Sequence, residues 1–264
     1  MTKVLYWHVD AFADRPFSGN QAAVMVLDAW PDDAVLQAIG AENLFAETAF
    51  LVRDESGAAE WELRWFTPEC EVRLCGHATL ASGHVLLSGA AALDQVRFAT
   101  RQAGVLVVRR AERGYEVGLP AIPVEEGEFA EAVAALGKRP SRIWRSPDRY
   151  NVFMFANEDE IRALSPDMRA LATLGDHQFI CTAPGGATDV VSRVFVPGAG
   201  VDEDSVTGSA HAALTPLWAA LLGRDKFTAF QASARGGRLS CRLDGATAWL
   251  GGDCVTVVEG TFAL

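Results

Sequence analysis

The chain has 264 residues, half of them hydrophobic and 22% charged, so it can bury a core and is not a disordered polymer. Its 23 Lys and Arg against 34 Asp and Glu give a net charge of −11, which argues against nucleic acid or an anionic membrane surface as the main partner. The length fits one large domain or two small ones. No run of about 18 apolar residues signals a transmembrane helix.

The opening stretch carries His8 and Asp10 within its apolar residues, so no signal peptide is expected. The five cysteines, Cys70, Cys75, Cys181, Cys241 and Cys254, are odd in number and contain no C-x-x-C pair. Reduced thiols in a cytoplasmic protein are the expectation, rather than disulfides or a zinc site.

In chain order, Val4 to Phe12 reads as a strand and Arg15 to Asn20 as a loop. Ala22 to Leu27 reads as a second strand. The spacing of Ala34, Val35, Ala38 and Ile39 predicts a helix from Pro31 to Ile39, started by Asp32 or Asp33 and stopped by Gly40. Glu47 to Val52 and Trp61 to Phe66 are β-prone. Cys75-Gly76-His77 precedes a helical run of small residues, Ala78 to Ser88. Val96 to Phe98, Val105 to Val108 and Tyr115 to Leu119 read as strands. The Pro- and Glu-rich stretch from Leu119 to Gly127 is the best linker.

Beyond it, Phe129 to Leu136 reads as a helix, Arg149 to Phe155 as a strand, and Glu158 to Leu174 as helical with Pro166 inside. Phe179 to Thr182 and Val190 to Phe195 read as strands. Gly208 opens a second small-residue helix through Leu222, and Ala229 to Val258 alternates short strands with Gly pairs. Strands mixed with few helices, without regular βαβ alternation, indicate an α+β fold rather than a doubly wound one.

The two halves resemble each other. Arg64-x-Phe66-x-Pro68 is followed by Glu71 and then Gly76-His77, while Arg193-x-Phe195-x-Pro197 is followed by Glu203 and then Gly208-Ser209. In each copy the Glu lies five residues before the Gly, and the second copy carries three extra loop residues. In both, a strand is expected to run out into a loop that leads to the helix. A repeat this long implies two homologous domains. We place them at residues 1–118 and 119–251, with the tail 252–264 rejoining the first. Related by a pseudo-twofold axis, the two helix starts would face each other across a cleft. Free N–H groups at both would suit a substrate carboxylate. Alternatively, the glycines only let the helices pack closely.

Several segments resemble, in family order over nearly the whole chain, those of PhzF-like phenazine-biosynthesis proteins. They are Asp10-Ala11-Phe12 through Val24, Glu47-Thr48-Ala49-Phe50, Phe66-Thr67-Pro68-Glu69, Cys75 to Leu80, Thr207 to Ala210, and Gln231 to Gly237. The resemblance implies the diaminopimelate-epimerase-like fold. That fold has two similar α+β domains, each a curved mixed or antiparallel sheet wrapped around a central helix, with the active site between them. It also implies a homodimer working without metal or organic cofactor. PhzF itself isomerises a dihydro-hydroxyanthranilate by moving a proton within the ring. Glu47 matches the family's acid/base, with Ala46 where Ser is common. His77, Asp204 and Ser209 match other site positions, with Ser205 where Pro often follows the Asp.

Proton relocation needs one group that removes a proton and returns it elsewhere. A carboxylate serves when burial raises its pKa, and Glu47 lies among Ala46, Ala49 and Phe50. Outside the motif, Glu47 reads as an exposed strand carboxylate. His77 could orient substrate or stabilise a developing anion. Asp204 could hold a substrate amine or hydroxyl, or position His77, or be a solvated loop acid beside Asp202 and Glu203. Ser209 could bind the anion or cap its helix. Gly76, Gly208 and Asn20 complete the candidate substrate-binding set. Gln231, Ser233, Arg235, Gly236 and Gly237 could support the site or simply form a glycine-containing hairpin turn.

Cys75 aligns with one of the two facing thiols used by amino-acid epimerases of this fold. The repeat places Thr207 where the second would be, and a hydroxyl is a poor base for that chemistry. The leading expectation is therefore a cofactor-independent isomerase acting on a small carboxylate-bearing substrate. Alternatives are an amino-acid epimerase or racemase, or a non-catalytic small-anion-binding protein. Neither G-x-G-x-x-G nor a P-loop is present, so a nucleotide-binding enzyme is not expected.

Overall fold

The computed structural model describes residues 3–264, which divide into two compact units, 3–119 with 251–264, and 120–250. The first unit contains β1 (Lys3–Ala11), β2 (Asn20–Val26), α1 (Asp33–Asn43), β3 (Glu47–Arg53), β4 (Trp61–Phe66), β5 (Glu71–Val72), α2 (Gly76–Ser88), β6 (Gln95–Thr100), β7 (Val105–Arg110) and β8 (Tyr115–Pro120). The second contains β9 (Glu125–Glu126), α3 (Ala130–Leu136), β10 (Arg142–Arg145), β11 (Tyr150–Met154), α4 (Glu158–Arg162), α5 (Met168–Ala172), β12 (Gln178–Pro184), β13 (Val190–Val196), β14 (Val201–Asp204), α6 (Gly208–Leu222), β15 (Lys226–Gln231), β16 (Gly237–Asp244) and β17 (Thr247–Gly252). The tail, β18 (Cys254–Ala263), returns to the first unit, antiparallel to β1. This is the α+β architecture expected from the sequence. Among the described residues no helix is long and apolar enough to cross a membrane, and all five cysteines are free thiols.

The duplication is written in the strand pairing. In the first unit β1 pairs antiparallel with β2, β2 parallel with β3, β3 antiparallel with β4, and β4 antiparallel with β5 but parallel with β6. In the second, β10, β11, β12, β13, β14 and β15 repeat that sequence of antiparallel and parallel contacts in the same order. Each parallel pair requires a crossover connection. The crossover before β6 is α2, and the one before β15 is α6.

Both crossover helices are buried on nearly every side. Residues 76 to 83 of α2 are buried, and so are residues 208 to 215 of α6. A helix with no solvent face must be apolar or small all round. Gly76, Ala78, Ala81 and Gly83 meet that demand, and a methyl group built on Gly83 would overlap the Val108 side chain of β7. The few polar groups bond inward: Thr79 Oγ1 donates to the Cys75 carbonyl and Ser82 Oγ to the Ala78 carbonyl.

Three local expectations are corrected. Gly40 does not stop α1, which runs on to Asn43 and ends at Leu44 in the left-handed conformation. Gly40 instead lets the helix approach the Phe66–Thr67 backbone, where a Cβ would sit 2.9 Å from the Thr67 carbonyl oxygen. The segment from Glu158 to Leu174 is two short helices, because Pro166 lacks a donor and biases its predecessor away from helix. Asn157 and Asp167 cap the two pieces, accepting from the Glu160 and Ala170 N–H groups. The strand ends thought to run into loops fold back instead as β5 and β14. In the first, Arg64 Nε and Nη2 donate to the two oxygens of Glu71 at 2.8 Å. In the second, Arg193 makes the same two-pronged pair with Glu203, also at 2.8 Å. The planar fork of Arg suits this geometry, so Glu203 and Asp204 belong to a strand and not to a solvated loop.

Overpacking a filled contact costs about 1–3 kcal/mol. Gly83→Ala should lose that much in denaturant unfolding, and adding Val108→Ala should recover part of it. A Gly83→Ala protein as stable as the parent would contradict this packing.

Candidate active site

Glu47, the first residue of β3, sits beside Ala22 in the parallel β2–β3 ladder. Asn20 opens β2 immediately after Gly19, whose φ of +65° and close approach to the Ala11 carbonyl no other residue would accept without strain. His77 is the second residue of α2. These elements bring Glu47, Cys75, His77 and Asn20 together. His77 Nε2 lies 3.1 Å from Glu47 Oε2. Cys75 Sγ lies 3.5 Å from His77 Nδ1, and Asn20 Nδ2 lies 3.2 Å from the same nitrogen. Sequence reasoning named all four residues but did not anticipate that Cys75 touches the ring.

Glu47 Oε2 is buried against the imidazole, in ion-pair and hydrogen-bond reach of His77 Nε2. Burial opposes charge on His77, but the hydrogen-bonding Cys75 sulfur and the charge of the Glu47 carboxylate act against it and raise its pKa well above the ordinary imidazole value. A charged ring donates from both nitrogens. As oriented, the Asn20 amide serves the neutral ring, and turned end for end it serves the charged one. Burial, reinforced by Glu47, pushes the Cys75 thiol up to about 11, so at neutral pH it is a thiol and not a thiolate nucleophile.

The second unit carries a related but different group. Ser209 is the second residue of α6, as His77 is of α2. Gln178 opens β12 as Glu47 opens β3, and the registers Thr48↔Phe66 and Phe179↔Phe195 place the two at equivalent positions. Where the first unit sets a carboxylate against an imidazole, the second sets an amide against a hydroxyl: Gln178 Nε2 donates to Ser209 Oγ at 3.0 Å. Gln178 was missed from sequence, because its equivalence to Glu47 emerges only from strand register. Ser209 does not cap its helix by a side-chain bond, and neither does Thr207 or Cys75 at the two N-cap positions.

Asp204 Oδ2 accepts from Thr207 Oγ1 at 2.5 Å. Buried Gln231 fixes this helix start, its Oε1 accepting from the Thr207 N–H and its Nε2 donating to the Asp204 carbonyl. Ser233 Oγ donates to the Ser205 carbonyl at 2.6 Å, and Gly236, at φ +65°, packs on the Phe230 ring. These residues hold the loop before α6.

The profile of phenazine biosynthesis-like proteins, PhzC-PhzF, matches residues 9–260. A Pseudomonas aeruginosa protein described as an uncharacterized isomerase is 46% identical, over 98% of each chain. A PhzF-family crystal structure from Enterococcus faecalis is 38% identical and superposes over the whole of both chains with a TM-score of 0.91. A hydroxyproline epimerase from Agrobacterium vitis, at 12% identity and a TM-score of 0.65 over 99% of this chain and 93% of its own, shares the fold. The chain belongs to the phenazine biosynthesis-like, or PhzF, family, whose relatives include proteins described as isomerases.

Proposed function

We propose that this protein is a cofactor-independent isomerase that relocates a proton on a small carboxylate-bearing molecule, with Glu47 as its acid/base. The observation that carries the reading is the Glu47 carboxylate with one oxygen buried 3.1 Å from His77 Nε2. A catalytic carboxylate must be held in place with its charge balanced, and a buried carboxylate oxygen beside an imidazole is so held.

In the proposed step, the Glu47 carboxylate takes a proton from a substrate carbon and becomes the carboxylic acid. The electron pair left behind delocalises into the substrate's unsaturated, carboxylate-bearing frame. Glu47 then returns a proton to a different carbon and is a carboxylate again. No electrons enter or leave, so the reaction needs no oxidant or reductant. His77 steadies the negative charge wherever it resides, first on Glu47 and then on substrate. The N–H groups at the start of α2 bind the carboxylate, and Asn20 holds the His77 ring.

The epimerase reading needs a second base opposite Cys75. The equivalent residue is Thr207, whose hydroxyl donates to Asp204, and Cys75 itself is held as a thiol. That arrangement favours one carboxylate base over a thiol pair.

Against a panel of small unsaturated carboxylic acids in D2O, a substrate should gain deuterium at the protonated carbon. Glu47→Gln should turn it over about 10²–10⁴-fold more slowly. Equal turnover by both proteins would remove Glu47 from the role, and tight binding with no proton exchange would point to an anion-binding protein.

A further inference from the structure

We propose that Glu47, Cys75 and His77 form an inhibitory site for a zinc-like divalent cation. One ligand atom from each residue lies within 4.8 Å of the others. His77 Nε2 is 3.1 Å from Glu47 Oε2 and 4.0 Å from Cys75 Sγ. The ligand–ligand edges of a tetrahedral zinc site built with ordinary Zn–N, Zn–O and Zn–S bonds are about 3.4–3.6 Å. The nitrogen–oxygen edge is thus slightly short and the sulfur–nitrogen edge slightly long, and the carboxylate–sulfur edge, within 4.8 Å, closes by rotation of the Glu47 and Cys75 side chains.

The donor set selects the metal. One sulfur, one imidazole and one carboxylate suit zinc or cobalt and not magnesium or calcium, which take oxygen ligands. Three protein ligands leave a fourth position for water or for a small carboxylate. On binding, the Cys75 thiol and the charged His77 ring each release a proton to solvent, the ring losing the one on Nε2, and the metal takes the Nε2 position. Asn20, already beside Nδ1, accepts from the Nδ1–H with its amide oxygen, the outer support that metal-bound histidines usually have. The cation then takes the place of the ring proton that faces the buried Glu47 oxygen. That zinc stops turnover rests on the acid/base reading of Glu47; the binding site itself does not.

Cobalt replaces zinc in such sites and makes the sulfur ligand visible. Titration of the full-length protein with Co²⁺ should give one equivalent of a thiolate-to-cobalt charge-transfer absorption, displaced by Zn²⁺. The band should vanish in Cys75→Ser, while Asn20→Ala should weaken binding about tenfold. A wild-type protein with no band, or a band that survives in folded Cys75→Ser, would overturn the site. Should Cys75→Ser fail to fold, ¹¹³Cd NMR of the wild type decides: a single resonance in the one-sulfur range supports the site, and one in the oxygen-only range overturns it. If Glu47→Gln retains full turnover while wild type still shows the band, the acid/base reading fails and the metal site stands.

Discussion

The burial of α2 and α6 on nearly every side is the constraint from which the rest of each unit follows. A helix that crosses from one parallel strand to the next with no solvent face needs small or apolar residues all round, and Gly83 against Val108 shows how little room is left. The same burial means that whatever stands at each helix start is withdrawn from water. Charges and hydrogen bonds there act in a low-dielectric setting, where they carry more weight than on the surface. The Arg64–Glu71 and Arg193–Glu203 pairs hold the loops leading to both helices. They are the physical form of the repeated Arg and Glu seen in the sequence.

Duplication has kept the scaffold and changed the chemistry. Glu47 and Gln178 open equivalent strands, His77 and Ser209 occupy equivalent helix positions, and Cys75 and Thr207 are the equivalent N-caps. The first member of each pair titrates, and the second is neutral at all ordinary pH. A two-base enzyme needs proton-carrying groups in both copies; this chain has concentrated them in one. Gln178 and Ser209 retain hydrogen-bonding capacity without a proton to move, which fits recognition rather than acid/base work. Gln231 shows the cost of the second arrangement, since a buried amide is used to fix the start of α6.

Much of this was legible in the sequence. The helix starts at Gly76 and Gly208, the paired Arg-x-Phe-x-Pro strands and the α+β class follow from periodicity, small-residue runs and internal similarity. Glu47 was visible only through its motif, because its burial depends on packing that composition does not show. Gln178 needed strand register, which pairs residues far apart in the chain. The continuation of α1 through Gly40 was illegible because glycine serves two purposes, ending helices and permitting close approach, and only the neighbouring Thr67 carbonyl decides between them. The break at Pro166 was readable from local chemistry, and the helical spacing on both sides masked it. The strand character of Glu203 and Asp204 depends on the ion pair to Arg193, a contact that the motif contained but whose geometry it did not display.

The account turns on the coupling of Glu47 to His77, and ¹⁵N NMR titration of the His77 ring reads it most directly. In the wild type the ring should hold its proton well above the usual imidazole range, and in Glu47→Gln its pKa should fall, since burial then acts with less opposition. A wild-type His77 that titrates at or below an ordinary imidazole value, or one unmoved by Glu47→Gln, would contradict the proposed pair.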